Sequence, residues 1–199
     1  MPAHPNSLAM MVDLRDGYHP GRGIIAVAGE HSTAAAISLM ARHARGLISL
    51  AMLPDKAIRL GLRPMARSLI SGDACEYLSS FEAKACTETG ISAAERALTA
   101  KVASAGEASA EAIVTPGHMI PLLVRNPDRA GATLPEVALS ALLREGRFNT
   151  LLWCDVLNDA GDVASAAECC GLAARLGLDC IEIAPWTCDA GIGDCRVAA

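Results

Sequence analysis

The spacing of hydrophobic and polar residues along the chain predicts a mixture of helices and strands. Apolar residues recur every three to four positions, between capping residues, glycine or proline, over 7–16, 33–44, 54–60, 92–103, 135–145 and 164–176. Short apolar or half-exposed runs predict strands over 23–28, 46–52, 74–83, 150–157 and 179–184. Clusters of small polar residues, glycine and proline predict turns or rigid loops at 29–33, 116–121 and 158–162.

This order of elements favours an α+β fold. Helices and strands do not alternate strictly, so we expect a mixed β-sheet with helices on both faces. A chain of 199 residues is expected to form one domain, 1–199, with an ordered core over about 6–184 and a tail at 185–199 that lacks a clear element. Aromatic residues make up only 3% of the chain, so aliphatic side chains must fill the core.

Charge and composition exclude several classes of protein. The net charge of −5 and the scattered basic residues argue against a nucleic-acid surface, whereas a phosphate pocket needs only one or two basic side chains. The first residues lack the basic and apolar regions of a signal peptide, and no apolar run reaches membrane length. We therefore expect a cytoplasmic protein with no membrane partner. The 8 cysteines include no Cys-x-x-Cys pair and are expected to be reduced thiols.

Short motifs distributed over most of the chain resemble the signature of one enzyme family. In order they are Gly21-Arg22-Gly23, Arg42-His43-Ala44 with Gly46 and Ile48, Leu60-Gly61-Leu62-Arg63-Pro64-Met65, Thr89-Gly90-Ile91-Ser92-Ala93-Ala94-Glu95-Arg96, Thr115-Pro116-Gly117-His118-Met119-Ile120-Pro121-Leu122, Arg129-Ala130-Gly131-Ala132-Thr133, and Cys154-Asp155 with Asn158-Asp159. The chain is identified by them as a member of the 3,4-dihydroxy-2-butanone 4-phosphate synthases, lyases of riboflavin biosynthesis. The resemblance implies the fold of that family.

The resemblance also implies a reaction. Members of the family convert ribulose 5-phosphate to dihydroxybutanone phosphate and formate, with a divalent metal that is usually magnesium. They are homodimers with active sites at the subunit interface. Such chemistry needs a group that stabilises an enediolate, an acid or base that transfers protons, and an anion site that holds the phosphate.

The residues for binding phosphate match the family motifs. The resemblance implies that Arg129, Gly131, Thr133 and Thr89 contact the phosphorylated or anionic substrate. By itself, Arg129 would equally well be a solvated loop residue paired with Asp128.

Two further matches concern catalysis. His118 matches a histidine that approaches the active site, and an alternative is a structural role across a tight loop or a dimer interface. Asp155 stands where the family has a catalytic glutamate, so its carboxylate reaches one methylene less far.

The residues for binding metal depart from the family motifs. The family has an acidic loop, Asp-x-x-Arg-Glu-Asn-Glu-Gly-Asp, after its first strand, whereas here the strand at 24–27 leads through a short turn into a helix. The histidine that helps to hold the metal is Ala132, and a family cysteine is Ser49. We therefore assign no cofactor, with Mg²⁺ or Mn²⁺ expected only if the ordinary activity is retained. Glu30 and His31, in the turn, are candidates for a relocated metal or acid–base pair, or cap the next helix.

Three functions are compatible with these motifs. The first is a divergent enzyme that acts on a sugar phosphate or related polyhydroxy ketone through His118, Asp155 and Glu30 or His31, with a lost or altered metal site. The second is the ordinary synthase of the family. The third is a non-catalytic homodimer that binds a ligand or serves as a scaffold.

Overall fold

The computed structural model describes residues 8–15, 22–65, 76–127, 131–144, 146 and 148–183, and the backbone of 195–197. The α-helices within these residues are α1 (Ala34–Leu39), α2 (Pro54–Arg59), α3 (Ala93–Ser104), α4 (Leu134–Arg144) and α5 (Ala166–Leu176). The strands are β1 (Ala9–Asp13), β2 (Gly23–Ala28), β3 (Arg45–Met52), β4 (Glu76–Tyr77), β5 (Phe81–Ala83), β6 (Ile113–Leu123), β7 (Thr150–Val156), β8 (Asp179–Ile183) and β9 (Cys195–Val197). No described helix is both long and apolar enough to cross a membrane.

The strands form one mixed sheet, as predicted. Its order is β4-β6-β3-β7-β2-β1-β8-β9, and β5 pairs with β6 outside this path. Near the middle of the sheet, β7 runs antiparallel to both of its neighbours, β2 and β3. Two pairs are parallel, β3 with β6 and β1 with β8.

Helices cover both faces of the sheet, which confirms the predicted α+β arrangement. The core under α4 contains Leu134, Leu139, Leu142, Leu151 and Trp153. The core under α1, α3 and α5 contains Ile37, Ala100, Leu152, Cys154 and Leu172. Successive side chains of a strand point to opposite faces. Asp155 follows Cys154 in β7 and therefore lies on the face that α4 covers.

Most of the predicted elements are confirmed to within one or two residues, because capping residues mark their ends. The Thr33 side chain accepts a hydrogen bond from the amide of Ala36, and α1 continues into a π-helical turn at Met40–Ala44. Ser165 and Glu168 form a capping box at the start of α5. Gly177 ends α5 in the left-handed conformation, with φ 65°.

The helix predicted over 7–16 is wrong. The described residues there form β1, and every residue of Ala9–Asp13 is buried. β1 lies between β2 and β8 inside the sheet, and its two faces contribute to the two cores, Met10 and Val12 to one and Ala9 and Met11 to the other. Residues 9–12 are therefore apolar without a gap. A short continuous apolar run is ambiguous between helix and strand, and here the sheet decides.

The rigid loop predicted around Pro116 lies inside a strand. Phe81 pairs with Met119, whereas the next residue, Glu82, pairs with Val114. The intervening segment, 115–118, therefore forms a bulge of β6 relative to β5. Since Thr115, Pro116 and His118 are exposed, proline and glycine do mark an irregular segment, but β6 continues through it.

Two other predictions at strands need correction. The half-exposed strand predicted over 74–83 is divided into β4 and β5, and residues 74 and 75 lie outside the described residues. The tail was expected to lack a clear element, but Cys195–Val197 is β9 and pairs antiparallel with β8. Three residues are too few for a recognisable sequence pattern, so this pairing depends on the exposed edge of β8.

Candidate active site at one edge of the sheet

The β1–β2 hairpin lies at one end of the central strands, where three strands meet, and we call this end of the sheet its edge. The amide of Asp13, the last residue of β1, donates to the carbonyl oxygen of Arg22 across 2.8 Å, just before β2. β2 in turn pairs with β7, where Ile24 is opposite Asp155. The end of β1, the start of β2 and the end of β7 therefore lie side by side.

The turn after β2 is short, as the sequence predicts. β2 ends at Ala28, a 3-10 turn follows at Gly29–His31, and α1 begins at Ala34. β2 is the strand after which the resemblance places the acidic loop of the family, and it is the second strand of the sheet rather than the first, because β1 precedes it. The loss of that loop stays a prediction from the sequence.

Asp155 is held at this edge by Arg22. The Nε of Arg22 donates to Oδ1 of Asp155 across 2.8 Å, and Nη2 lies 2.6 Å from the same oxygen. The side chains of Arg22 and Asp155 are 32% and 16% exposed, so solvent reaches both. The pair places a carboxylate, with a guanidinium beside it, where a small molecule can approach.

A second arginine joins the hairpin to the start of α4. Arg15 binds both carboxylate oxygens of Asp13, through Nε at 2.7 Å and Nη2 at 2.6 Å. The same Nη2 donates to the carbonyl oxygen of Ala132 across 2.8 Å. Because the Arg15 and Asp13 side chains are only 11% and 4% exposed, this pair fixes the segment 131–133 against the sheet edge.

The predicted phosphate-binding residues lie partly at this edge. Gly131, exposed and with φ 76°, precedes Thr133 at the start of α4. The amide and hydroxyl of Thr133 both donate to Oε2 of the buried Glu136, across 2.6 and 2.8 Å. Glu136 thus holds Thr133 at the start of α4, and Arg129 lies outside the described residues. A role for these residues in binding phosphate stays a prediction.

His118 and Gly90, the residue after Thr89, both lie against Glu82 of β5. Nδ1 of His118 is 3.3 Å from Oε2 of Glu82, in the adjacent β5. Gly90 has φ 74°, and a Cβ atom there would overlap the Glu82 carboxylate, so the segment that contains Thr89 packs against this pair. Glu95 of α3 holds the same segment in place. The amides of Glu88, Gly90 and Thr87 donate to its carboxylate and hold the pKa of Glu95 below its usual range.

His118 and Asp155 lie at the same end of the sheet but on strands that β3 separates. β3 pairs with β6 on one side and with β7 on the other. Two strand spacings amount to about 10 Å. The two side chains therefore do not form a hydrogen-bonded pair, although one ligand of the size of a sugar phosphate can span such a distance.

Glu30 and His31 lie at the opposite end of the sheet. Oε1 of Glu30 accepts from the amide of Asn149 across 3.1 Å, and the ring of His31 packs edge-on against Phe148 at 5.1 Å. The β2–β7 register places this end four residues, or about 13 Å, from Asp155. The structure therefore does not bring this pair together with Asp155.

The donor set at the edge does not fit a divalent cation. Both carboxylates described there, Asp13 and Asp155, bind guanidinium groups, and Ala132 offers only a carbonyl oxygen that Arg15 already engages. In the part of the chain that the structure describes, no three His, Cys, Asp or Glu residues are grouped so that they could hold a metal ion. Cys154 is no substitute ligand, because it is buried on the face of β7 opposite to Asp155.

Sequence reasoning missed the residues that connect this site. Neither Arg15 nor Arg22 was singled out, and Glu82 and Glu136 were not considered. A usable signal was the alternation Asp13-Leu14-Arg15 directly after a buried run, since charged residues at a strand end often pair with one another. Their partners in β7 and before α4 are more than a hundred positions away, so spacing alone could not find them.

Comparison with known proteins agrees with the motifs. The family model of 3,4-dihydroxy-2-butanone 4-phosphate synthase matches residues 8–186. The synthase of Pseudomonas aeruginosa is 35% identical over 172 residues, which are 85% of this chain and 47% of that protein. The riboflavin biosynthesis protein RibBA of Aquifex aeolicus is 33% identical over 180 residues, 88% of this chain and 44% of that protein. The chain thus spans about half the length of these curated relatives.

Solved structures with the same fold carry the same name. A two-domain 3,4-dihydroxy-2-butanone 4-phosphate synthase, RibBX of A. baumannii, aligns with a TM-score of 0.78 at 29% identity, over 90% of this chain and 52% of that one. A 3,4-dihydroxy-2-butanone 4-phosphate synthase in complex with two magnesium ions aligns with a TM-score of 0.73 at 25% identity, over 88% of this chain and 87% of that one.

Proposed function

Because this chain belongs to the 3,4-dihydroxy-2-butanone 4-phosphate synthase family, we propose that the sheet edge around Asp155 is the active site of a lyase-type domain. Its substrate is a sugar phosphate or a related small polyhydroxy ketone. One observation carries the proposal: an accessible carboxylate, Asp155, is held by Arg22 beside the start of α4. A carboxylate that solvent reaches, fixed next to a positive charge, suits proton transfer next to a carbonyl group.

Asp155 is the proposed proton-transfer group. Its carboxylate takes a proton from the carbon beside the ketose carbonyl, and the electron pair of that bond moves onto the carbonyl oxygen to give an enediolate. The protonated Asp155 later returns the proton to carbon or oxygen. Arg22 keeps the carboxylate in one orientation through two contacts to a single oxygen.

The segment 131–133 is the proposed place of the phosphate. Support comes from its location at the edge and from the Arg15 contact that holds the Ala132 carbonyl. Gly131 is exposed, and backbone amides bind phosphate oxygens well. Arg129, two positions earlier, is the proposed charged partner of the phosphate.

His118 and Thr89 belong to the proposed site through a homodimer. Exposed apolar side chains lie on the strands and the segment next to them: Leu47 is 51%, Ile91 52% and Val114 40% exposed. Burial of such side chains in a partner subunit would be favourable. We propose that a second copy covers this surface, so that His118 meets substrate at the interface. Sedimentation at several concentrations tests the dimer.

The metal site of this chain is proposed to be lost or altered. Magnesium supplies, in relatives that bind it, a positive charge that polarises oxygen atoms of the substrate. No step proposed for this chain passes through a metal, because the described carboxylates at the edge are bound by arginines. The second candidate is the ordinary synthase, which the family match over 8–186 favours.

One assay distinguishes these functions. The full chain is incubated with ribulose 5-phosphate in D₂O, with magnesium or with EDTA, and NMR follows formate and solvent deuterium at carbon. Formate that requires magnesium establishes the ordinary synthase. Exchange or product formation in EDTA supports the divergent enzyme. If neither occurs under any condition, the enzymatic proposal is wrong and binding alone remains.

Variants of two aspartates assign the activity to the edge. Asp155→Asn is expected to lower the rate at least 100-fold, the usual size of a lost acid–base group. The matched control is Asp55→Asn, since Asp55 is exposed in the first turn of α2 and lies outside the family motifs. Equal rates for wild type and Asp155→Asn would place the reaction elsewhere.

A further inference from the structure

The arginines of the β1–β2 hairpin differ in how fully their donors are used. Arg15 is nearly buried and contacts both oxygens of Asp13 and the carbonyl oxygen of Ala132. Arg22 is one-third exposed and directs Nε and Nη2 at one oxygen of Asp155. A guanidinium has five N–H donors, so two are engaged there and the others can receive a ligand. Arg15 is therefore structural, and Arg22 is equipped to bind an anion.

We propose that Arg22 is a catalytic residue that supplies the positive charge at this edge, and that the site binds the ketose oxygens without a divalent cation. The inference rests on the proposed function for the identity of the substrate. It assigns to Arg22 the role that the resemblance to the family implies for a divalent metal.

The geometry explains why a guanidinium and a metal exclude each other here. A divalent cation such as Mg²⁺ prefers several oxygen ligands in a regular arrangement. To bind Oδ1 of Asp155, it would have to displace Arg22, and at either carboxylate oxygen it would lie a few ångströms from the guanidinium, with repulsion between like charges. Ala132, buried with 2% exposure, adds a methyl group where the resemblance implies a metal-binding histidine.

The step that Arg22 assists balances without a further reactant. Asp155 removes the proton from the carbon beside the carbonyl, and that C–H electron pair forms the new C=C bond as the carbonyl oxygen becomes an oxyanion. The oxyanion accepts hydrogen bonds from those N–H groups of Arg22 that are not directed at Asp155. When the proton returns from Asp155 to the substrate, the oxyanion collapses and Arg22 is again paired with Asp155 alone. Hydrogen bonds of this kind strengthen as the charge develops.

Two binding measurements on EDTA-treated full-length protein test the inference. The first is EPR titration with Mn²⁺ alone, in which the signal of the aquo ion falls if the protein binds it. The second is calorimetric titration with ribulose 5-phosphate in EDTA. Both are made on wild type, Arg22→Gln and Arg22→Lys. The control is Arg125→Gln, because Arg125 forms a comparable exposed pair with Glu76 at the other side of the sheet.

We expect wild type to leave the Mn²⁺ signal unchanged and to bind ribulose 5-phosphate in EDTA. Arg22→Gln should weaken that binding by about 10- to 100-fold, the effect of losing a charged hydrogen-bond donor. The affinity of Arg22→Lys should lie between those of wild type and Arg22→Gln, because lysine keeps the charge but lacks the planar guanidinium. Arg125→Gln should bind like wild type. Melting curves of each variant show whether the protein is folded.

Either of two results overturns the inference. One is Mn²⁺ binding by wild type that Asp155→Asn abolishes, and the other is equal affinity of wild type and Arg22→Gln for ribulose 5-phosphate. Failure of the proposed function gives a different outcome. If wild type binds neither Mn²⁺ nor ribulose 5-phosphate, the substrate is wrong, and the absence of a cation site at Asp155 is still supported.

Discussion

The guanidinium of Arg15 donates to the carbonyl oxygen of Ala132 across 2.8 Å, although 117 positions of the chain separate them. This contact joins the β1–β2 hairpin to the segment that precedes α4. Asp13 fixes the orientation of this guanidinium, because its carboxylate accepts hydrogen bonds from Nε and Nη2 of Arg15. The start of α4 is thus held against the strand ends that carry Asp155.

Substitution of Arg15 should therefore cost stability. Arg15→Leu removes the guanidinium that pairs with the buried Asp13 carboxylate, and breaking a buried pair typically costs about 3–5 kcal/mol. Urea denaturation measures the free energy of unfolding. Arg125→Leu removes an exposed pair with Glu76, at 62% exposure of Arg125, and should cost no more than about 1 kcal/mol. Equal losses in the two variants would show that Arg15 has no special role.

Gly46 permits the close approach of β3 and β7 beside Asp155. A Cβ atom at position 46 would overlap the carbonyl oxygen of Asp155 and touch its Cβ. Gly46→Ala should destabilise the protein by about 1–3 kcal/mol, as forced repacking does, and should lower ligand affinity at the edge. Gly171→Ala in α5 is the control, because its Cβ meets only Arg175 at 3.7 Å, and helix propensity favours alanine there. A lower free energy of unfolding for Gly171→Ala than for Gly46→Ala, measured by chemical denaturation, would contradict this.

Glu95 should make the segment 87–90 sensitive to acid. The backbone amide of Glu88, with those of Gly90 and Thr87, lowers the pKa of Glu95 in the folded state. A carboxyl group whose folded pKa is depressed contributes stability above its unfolded pKa, and this stability is lost as pH falls through the folded pKa. The melting temperature of wild type should thus exceed that of Glu95→Gln at neutral pH, with the gap closing in acid. A gap that stays constant with pH would contradict the assignment.

Cys170 and Cys180 should form a disulfide when a small-molecule disulfide is supplied. Their Sγ atoms are 3.2 Å apart, on α5 and β8. Both thiols lose a proton and one electron each, and oxidised glutathione is reduced to two thiols. Burial, with the Cys170 thiol next in effect, raises the pKa of Cys180 to about 12, so the reaction should accelerate as pH rises.

Peptide mapping under non-reducing conditions detects this disulfide. Cys170→Ser should abolish it, whereas Cys86→Ser, a substitution at a distant thiol, should leave it unchanged. A cross-link that persists in Cys170→Ser would involve another cysteine and would refute the pairing.

Local patterns explain where sequence reasoning succeeded and where it failed. The run Gly23–Ala28 and the capped helices α3 and α5 were correctly predicted, because neighbours in the chain determine their burial and ends. The helix expected over 7–16 failed since the packing of β1 between β2 and β8 is a long-range property. The same error left the β1–β2 hairpin, whose ends carry Arg15 and Arg22, unpredicted.

By itself, the sequence determined the family, the α+β class and most element boundaries, because ordered motifs, hydrophobic periodicity and capping residues act over short stretches of chain. It also supplied Asp155 and Ala132 as departures from the family pattern. Only the tertiary structure decided which residues share the edge: Asp155 with Arg22, but not with Glu30 or His31. Strand order and register bring distant residues within bonding distance, and these depend on how the whole sheet buries its two faces.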